Sequence, residues 1–533
     1  MKNALRNMDQ LPAYDKLVQA AKTPFDLSAP GALNPERLTA YVAGTASYKL
    51  LYATQRIDDH TLDILQELAD QSGAVEQFKM MKKGEVMNRI EGQDSENRRV
   101  LHTACRDIFS ANPENREATE QAGRELDKLQ NFLADLDAGR LLNHRGETFI
   151  NLINVGIGGS DLGPRAVYLA LKPFSQKNRL VRFISNVDPD DCAATLKDLD
   201  LGRTLAVVVS KSGTTMETLT NEELLKKAFR RAGLEPSRHF LAVTGENSPM
   251  DDPDKYLRTF HMFDYICGRY STSSMVGGLM LSFAIGFDNF RKFLKGANRI
   301  DRATETHDIR KNLPLLLAML GIWNRNFLNS ETLAILPYSQ ALVRFVAHLQ
   351  QCDMESNGKS INRQGISLAY HSGPIIWGEP GTNGQHSFYQ SLHQGTTLVP
   401  CEFIGFRQSQ YGVDMAVNRT SSQEKLVANL LAQAIAMATG AQNSNPNRSF
   451  AGNRPSSILL ADRLTPETMG ELLAIYENKI VFQGFVWNIN SFDQEGVQLG
   501  KILANRLLDE IANDSGDDPI ATAVLKSIDF RNR

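Results

Sequence analysis

From Phe149 onward, the sequence alternates short apolar or β-branched runs with segments in which apolar residues recur every three or four positions. The predicted strands of this first series lie at 149–155, 182–185, 205–209 and 240–243, and the predicted helices lie at 164–172, 190–198 and 216–232. The run Leu205–Val209 is apolar throughout, which is typical of a strand buried on both faces. Because strands separated by helices pair in parallel, the sequence predicts an α/β fold with a parallel sheet flanked by helices.

A second series of strands and helices follows, with no sequence repeat between the two halves. Its predicted strands lie at 333–336, 374–377 and 398–404, and its predicted helices lie at 306–327, 339–351, 422–439, 466–478 and 496–512. The stretch 441–456 is rich in Asn, Ser, Pro and Gly and is predicted to be a long loop. Since the chain has 533 residues, we expect two or three hydrophobic cores rather than one.

The first 145 or so residues differ from the rest because helical periodicity prevails there. Apolar residues follow three- and four-residue spacing at 38–42 and 62–68. Residues 74–97 contain many charged side chains of both signs, which is typical of a solvated surface. The sequence therefore predicts a mainly helical region ahead of the α/β part.

Composition and charge exclude several classes of partner. A formal net charge of −3 leaves no basic excess to neutralise a nucleic acid. Five scattered cysteines without a Cys-x-x-Cys pair suit reduced thiols rather than a disulfide framework or a zinc site. The first residues show no apolar signal-peptide core, and no apolar run reaches the roughly 18 residues of a membrane span. We expect a cytoplasmic protein that binds neither nucleic acid nor membrane.

The stretch Ser210–Thr215 joins the buried run 205–209 to the predicted helix at 216–232. It holds four hydroxyls, one ammonium and one glycine. Backbone N–H groups at a helix N-terminus carry partial positive charge, and hydroxyl donors beside them complete a cradle for an anion. The alternative is an ordinary Ser/Thr helix cap, which needs only one such residue. The surplus of hydroxyls favours a phosphate or a similar oxyanion.

A second strand-to-helix junction, Gly156–Pro164, is rich in glycine. The dinucleotide-binding fingerprint requires a third glycine where Asp161 stands, so the evidence for a nicotinamide cofactor is weak. Gly158 and Gly159 would let the backbone approach a sugar or a phosphate closely. A purely structural tight turn remains the alternative.

Glu355 and His386 are each weak evidence for catalysis when taken alone. A nucleotide P-loop is excluded near Glu355, because that motif requires glycine where Asp353 stands. A lone carboxylate is more often a cap or an ion-pair partner than a catalyst, and a lone histidine is more often structural. His386 and His393 lack the spacing and the glutamate of a zinc helix, so metal binding is disfavoured. Two cations are equally unspecific by themselves: Arg269 and Lys501.

Taken together, these motifs resemble the phosphoglucose isomerase family of glycolysis. The resemblance spans about residues 30–510 in family order, and the coincidence of several improbable matches overrides the weak individual signals. The matching stretches are Gly156–Pro164, Ser210–Thr218, Gly268–Ser271, Gly286–Phe290, Gln351–Lys359, Gly378–Gln390 and Tyr476–Lys501.

The resemblance implies an aldose–ketose isomerase that interconverts glucose 6-phosphate and fructose 6-phosphate through an enediolate. Glu355 would be the base, Arg269 would stabilise the intermediate, and His386 and Lys501 would assist ring opening. The residues that would bind the substrate or its phosphate are Gly159, Ser160, Ser210, Lys211, Ser212, Thr214, Thr215, Gln351 and Gln494. The family needs no metal or organic cofactor, and its histidine comes from the neighbouring subunit, so the resemblance implies a homodimer with a shared active site.

The family fold implies two sugar-isomerase (SIS) domains with parallel-rich sheets. We expect a helical N-terminal region at 1–110 that packs with the second domain. The first SIS-type domain is expected at 111–290, the second at 291–505, and a C-terminal helical arm at 506–533.

Two positions depart from the family pattern. The family usually has two glycines before the arginine, whereas here Cys267 precedes Gly268. A positive φ at Cys267 would strain a cysteine. Glu495 stands where we expect an aromatic residue.

Two other functions are alternatives to the isomerase. A non-catalytic sugar-phosphate sensor could keep Ser210–Thr215 but would not need Glu355, Arg269, His386 and Lys501 together. A glutamine-dependent aminosugar synthase would need an N-terminal nucleophilic cysteine, and Lys2 and Asn3 follow Met1 instead.

Overall fold

The computed structural model describes residues 6–513 and 518–528. The chain divides into two compact units, Met1–Ser491 and Phe492–Arg533. The mixed α/β architecture with parallel-rich sheets flanked by helices confirms the predicted fold class.

The first sheet has five strands in the described part of the chain, all parallel, in the order β6-β5-β7-β8-β9. The strands are β5 (Asn151–Val155), β6 (Leu180–Ile184), β7 (Thr204–Ser210), β8 (Phe240–Thr244) and β9 (Arg258–His261). The connecting helices are α6 (Leu162–Ala170), α7 (Pro189–Leu196) and α8 (Met216–Arg231). Every residue of β5, β7 and β8 is buried, as expected for central strands of a sheet covered on both faces.

The second sheet is mixed. Its parallel strands are β10 (Thr332–Pro337), β11 (Ile375–Trp377), β12 (Cys401–Phe406) and β15 (Ser456–Ala461). A hairpin from the N-terminal region, β1 (Val42–Gly44) and β2 (Tyr48–Leu51), completes one edge, with β2 antiparallel to β15. The prediction of helix across 38–42 was wrong at Val42, because three- and four-residue strands are too short to show alternation. Most of 441–456 is a loop, as predicted, and β15 begins at its last residue.

The remaining N-terminal elements are mostly helical. They are α1 (Pro12–Ala20), α2 (Pro35–Ala40), α3 (Asp59–Ser72), α4 (Ala74–Lys83) and α5 (Arg116–Asp137), with a short ribbon of β3 (Val86–Asn88) and β4 (Arg98–Arg99). Local capping sets the ends of α3. The Asp58 side chain accepts from the Thr61 N–H at 2.8 Å, and Gly73 ends the helix at φ +64°.

Buried helices join the two halves of the first unit. They are α9 (Met275–Ile285), α10 (Phe287–Ala303), α11 (Leu313–Ile322) and α15 (Pro466–Val486). Two glycines bring α10 and α15 into backbone contact: a Cβ at Gly296 would lie 1.9 Å from the Glu467 carbonyl oxygen, and one at Gly470 would lie 1.9 Å from that of Phe293. A larger residue at either position would separate the helices.

A charged network lies between these helices. The Arg106 side chain is fully buried, with Nε 2.5 Å from Asp301 and Nη1 2.7 Å from Glu477. Asn478 donates a further hydrogen bond to Asp301 at 2.8 Å. Burial raises the pKa of Glu477 to about 7, although Arg106 opposes the shift. Removing one partner would leave an uncompensated charge in the interior, so this network fixes how the helices meet.

The second half contains the remaining elements of the first unit. They are α12 (Phe345–Leu349), α13 (Tyr389–Gln394), β13 (Ala416–Val417), β14 (Thr420–Ser421) and α14 (Ser422–Thr439). Helix α14 has the predicted bounds because Ser421 and Glu424 form a capping box at its start. The predicted helix at 306–327 begins only at Leu313, since Asn312 caps it and also donates to the carbonyls of Thr304 and Thr306.

The second unit contains α16 (Gln498–Asn513) and α17 (Pro519–Ser527). The Asp518 side chain caps α17, and the backbone N–H of Asp518 donates a hydrogen bond to the Glu510 side chain. The predicted domain boundaries at 290/291 and 505/506 fall inside α10 and α16, and the division into 1–110, 111–290, 291–505 and 506–533 stays a prediction. Residues 1–5, 514–517 and 529–533 of the predicted end regions, including the start examined for a signal peptide, lie outside the described residues.

Candidate active site

The two glycine- and hydroxyl-rich loops predicted from the sequence lie at the carboxyl edge of the first sheet. Gly156–Ser160 follows β5 and Ser210–Thr215 follows β7, and the two strands are parallel neighbours. The chain runs from β5 outward to β6 and then returns to the opposite side with β7, so the strand order reverses between β5 and β7. Ligands of open α/β sheets bind in the crevice at such a switch point.

The hydroxyl groups of the turn after β7 pair with one another. Ser210 Oγ lies 2.9 Å from Thr215 Oγ1, and Thr214 Oγ1 donates to Ser212 Oγ at 2.9 Å. Thr215 is the N-cap residue of α8, yet its side chain makes no capping hydrogen bond. The ordinary-cap alternative therefore finds no support, and the N-terminus of α8 stays available to an anion.

A neighbouring segment holds this turn in place. Thr244 Oγ1 donates to the Ser210 carbonyl at 2.7 Å, and the Gly245 N–H donates to the Lys211 carbonyl at 3.0 Å. Gly213 has φ +67° and a Cβ there would lie 3.1 Å from Ser248 Oγ, so only glycine fits the turn. The turn is thus shaped before any ligand binds.

The ammonium group of Lys211 binds protein carbonyls. Its Nζ donates to the carbonyl oxygens of Asp264 and Ile266, both at 3.1 Å. Burial lowers the pKa of Lys211. The lysine therefore ties the hydroxyl-rich turn to the segment that leads into Arg269.

The glycines after β5 approach protein backbone. Gly158 has φ +59°, and a Cβ at Gly159 would lie 2.2 Å from the Gly268 carbonyl oxygen. Gly159 therefore packs against the loop that carries Arg269, with Ser160 in the same 3-10 turn, and the predicted approach to a sugar or a phosphate stays a prediction. Cys267 has φ −73°, so the strain considered for a cysteine at this position is absent.

Arg269 and Glu355 form the charged centre of the site. The guanidinium is buried, with Nη1 3.6 Å from Glu355 Oε1. Its Nε donates to Ser356 Oγ at 2.7 Å, and its Nη2 donates to the Ser491 carbonyl at 2.6 Å. Burial acts to lower the pKa of Arg269, but neighbouring ionisable groups that include Glu355 outweigh it and the pKa is raised. The carboxylate therefore faces a fixed positive charge.

Glu355 ends a π-helical segment, Gln350–Glu355, that continues α12. The predicted helix at 339–351 is therefore displaced and more irregular than expected, since α12 begins only at Phe345 and its π-helical continuation extends to Glu355. Such π-helical turns occur frequently at functional sites. Gln351 lies in the same turn, with Nε2 3.2 Å from the position of a Cβ at Gly158. Its buried Oε1 has no hydrogen-bond partner among the described residues.

His386 lies on a separate exposed segment. It ends the 3-10 turn Asn383–His386, just ahead of α13, as the prediction of a nearby helix start implied. Its neighbour Gln385 donates to the Tyr338 hydroxyl at 2.6 Å, and Gly381 packs on the same ring. The segment is thus anchored on Tyr338.

Two predicted site residues belong to the second unit. Lys501 lies exposed on α16, and Gln494 is the exposed residue before the 3-10 turn Glu495–Val497. Nothing in the structure explains the departure from the family pattern at Glu495.

The described part of the chain contains no group of three His, Cys, Asp or Glu side chains placed to hold a metal ion. None of its helices combines the length and apolar character needed to cross a membrane. All five cysteines are free thiols.

Sequence reasoning missed the residues that orient Arg269. Ser356, Tyr270 and Ser491 all lie within or next to the motifs that the sequence singled out, but serine and tyrosine give no chemical signal of their role in a sequence. Only the fold brings them together. An α/β fold that combines a hydroxyl-rich turn at a helix N-terminus with a buried carboxylate–guanidinium pair is typical of enzymes that hold a phosphorylated ligand next to an acid–base group.

The sequence profile described as phosphoglucose isomerase matches residues 51–524. The chain belongs to the phosphoglucose isomerase family, which confirms the resemblance indicated by the motifs. It is 54% identical over 525 residues to a glucose-6-phosphate isomerase of Desulfotalea psychrophila, covering 98% of each chain. It is also 54% identical to one of Protochlamydia amoebophila, covering 94% of this chain and 92% of that one. The crystal structure of a glucose-6-phosphate isomerase from Chlamydia trachomatis superposes with a TM-score of 0.94 at 47% identity, covering 98% of this chain and 100% of that chain.

Proposed function

We propose that this protein interconverts glucose 6-phosphate and fructose 6-phosphate by proton transfer through an enediolate. The observation that carries the proposal is the buried Arg269 guanidinium 3.6 Å from the Glu355 carboxylate in a chain of this family. A non-catalytic sugar-phosphate sensor would not need this pair, and no observation favours that alternative.

The phosphate is bound by the turn after β7. We assign it to the hydroxyls and backbone N–H groups of the turn, with Ser160 and Gly159 on the sugar side. The phosphate is remote from the reacting carbons, so its binding energy can align them without taking part in the chemistry. The residues of the turn that we assign to the phosphate are Ser210, Lys211, Ser212, Thr214 and Thr215.

Glu355 carries the proton between C2 and C1. An aldose–ketose exchange needs one base that takes a proton from one carbon and returns it to its neighbour. The intermediate bears negative charge on oxygen, and Arg269 is a permanent cation already held beside the base. Gln351, in the same π-helical turn as Glu355, has an amide oxygen available to a substrate hydroxyl.

Ring opening precedes proton transfer, because the sugar reacts in its open-chain form. We assign this step to His386 and Lys501, and substrate contact to Gln494, from the family resemblance. No metal or organic cofactor is needed, since a base and a fixed cation suffice for an enediolate.

We further propose a cytoplasmic homodimer in which His386 completes the site of the neighbouring subunit. The exposed position of His386 at the end of the 3-10 turn Asn383–His386 is compatible with this exchange. Exposed apolar side chains also support it: Tyr411, Val413 and Met415 are 71–79% exposed in the single chain. Free thiols suit a reducing compartment, and the reaction belongs to glycolysis and gluconeogenesis.

Replacing Glu355 by glutamine tests the base. Glu355→Gln keeps the size of the side chain but cannot accept the proton, so turnover is expected to fall about 10²–10⁴-fold. Binding of fructose 6-phosphate should persist, because the phosphate turn is untouched. Turnover is measured by coupled assays in both directions, binding by calorimetry, and proton exchange at C1 by NMR in deuterated water.

The matched control is Glu120→Gln, which removes an exposed carboxylate paired with Arg116 on the surface. It should retain full turnover. Retained turnover in Glu355→Gln would refute the assignment of the base.

A further inference from the structure

We propose that Ser356 is a positioning residue for the reaction: it fixes the orientation of the Arg269 guanidinium beside Glu355. The proposal rests on the proposed function. Ser356 directly follows Glu355 and is fully buried, at 0% exposure. Its Oγ lies 2.7 Å from Arg269 Nε and 2.9 Å from the Tyr270 hydroxyl.

The direction of these hydrogen bonds follows from chemistry. A guanidinium nitrogen only donates, so Ser356 Oγ must accept from Arg269 Nε. The oxygen keeps a second lone pair and its own proton, and either can satisfy the Tyr270 hydroxyl. Water does not reach the fully buried serine, so the acceptor for Nε comes from the protein itself.

Ser356 and Ser491 each bind one of the three guanidinium nitrogens of Arg269. Nε is held by Ser356, and Nη2 donates to the Ser491 carbonyl at 2.6 Å. Because the group is planar, these two contacts help to set where Nη1 points, which is 3.6 Å from Glu355 Oε1. That separation exceeds a hydrogen bond, so the cation lies close to the base without binding it tightly.

Loss of the Ser356 hydroxyl would remove the acceptor of Nε and allow the guanidinium to shift toward Glu355. A tighter Arg269–Glu355 pair would both occupy the base and move the cation away from the position where negative charge develops. Preorganised charge stabilises an intermediate because it does not have to reorient during the reaction. Ser356 is therefore expected to contribute to stabilisation of the enediolate and to contribute little to binding of the sugar.

Tyr270 gives the serine a rigid neighbour. Its ring stacks on that of His102, with centroids 4.7 Å apart and an interplanar angle of 21°. Both residues are fully buried. The serine hydroxyl is thus held by Tyr270 as well as by Arg269.

The test is Ser356→Ala, with Ser356→Cys as a second variant that keeps more of the side-chain volume but accepts hydrogen bonds weakly. Interconversion by the unaltered chain is established first, so failure of the proposed function is recognised separately. In both variants kcat should fall about 10- to 100-fold, as expected for losing a hydrogen bond to a charged group, while KM changes less than about twofold.

Two inhibitors separate positioning from general packing. A five-carbon sugar-acid phosphate carries a carboxylate where the enediolate is charged, whereas a hexitol phosphate is neutral at the reacting carbons. Ser356→Ala should weaken binding of the acid about as much as it lowers kcat and leave binding of the hexitol phosphate unchanged. Equal weakening of both inhibitors would overturn the proposal.

A double-mutant cycle gives the second criterion. If Ser356 acts through Arg269, then Ser356→Ala should have no further effect on kcat in an Arg269→Ala background. Tyr270→Phe, which leaves the Arg269–Ser356 bond in place, should lower kcat less than Ser356→Ala does. Additive losses in the double variant would show that the serine acts independently of the arginine and would overturn the proposal.

Discussion

At the scale of single residues, burial of His348 makes the stability of the protein depend on pH. His348 lies on α12, two residues before the π-helical segment, and is 1% exposed. Neither of its ring nitrogens has a hydrogen-bond partner among the described residues. Burial lowers the pKa of His348 to about 4 from its ordinary 6.5. The folded protein therefore holds this histidine neutral under conditions in which an unfolded chain would protonate it.

This histidine should make the protein less stable in mild acid. As pH falls from 6.5 to about 4, the unfolded chain takes up a proton at His348 and the folded chain does not. The free energy of unfolding should therefore decrease by about 1.4 kcal/mol per pH unit, or about 3 kcal/mol in all. Urea unfolding at several pH values should show this decrease in the unaltered chain relative to His348→Leu.

The matched control is His60→Leu, which removes an exposed histidine from α3. Its urea midpoints should follow those of the unaltered chain across the same pH range. Parallel pH profiles for His348→Leu and the unaltered chain would contradict the prediction.

At the scale of elements, the site depends on contact between two loops from different parts of the first sheet region. The loop after β5 touches the loop that carries Arg269 through Gly159 and Gly268. Lys211 adds a second link, from the turn after β7 to the carbonyls of Asp264 and Ile266. The position of Arg269 is therefore set by the loops around it as well as by its own hydrogen bonds.

Replacing Gly159 by alanine should disturb this contact. The new Cβ would lie 2.2 Å from the Gly268 carbonyl oxygen, which forces the two loops apart. A displacement of about 1 Å at a catalytic group can lower the rate about 100-fold, so a loss of that order in kcat is expected. The melting temperature should fall as well.

Gly268→Ala provides the comparison for stability. Its Cβ would meet nothing within 4 Å, although it lies across the same contact. It should keep the melting temperature of the unaltered chain. Wild-type kcat and melting temperature in Gly159→Ala would contradict the prediction.

The sequence predicted regular elements better than irregular ones. The strand predicted at 205–209 and the helix predicted at 422–439 lie close to the observed bounds of β7 and α14, because a buried apolar run and the capping box found at Ser421 and Glu424 are local features. The β1–β2 hairpin and the π-helical turn at Glu355 went unpredicted, since both depend on distant partners. At the site, the hydroxyl-rich turn was visible in the sequence, whereas the role of Ser356 depends on Arg269, 87 residues away along the chain.

At the scale of the whole molecule, the proposed exchange of His386 between subunits can be tested by mixing inactive variants. Glu355→Gln and His386→Ala should each be inactive alone. In a mixed dimer, one site would combine an intact Glu355 with an intact His386. Random reassociation of equal amounts should therefore restore about a quarter of the unaltered activity.

The measurement is a coupled assay after the two variants are unfolded together and refolded. Refolding each variant alone provides the control and should give no activity. If both residues acted within one chain, the mixture would stay as inactive as its components.

The direct contact between α10 and α15 has a mechanical consequence. Glycines at 296 and 470 let the two main chains touch, so no compliant layer of side chains separates the helices. We therefore expect little relative motion of the two helices at this contact. Closure around a sugar would then depend mainly on the loops at the carboxyl edge of the first sheet.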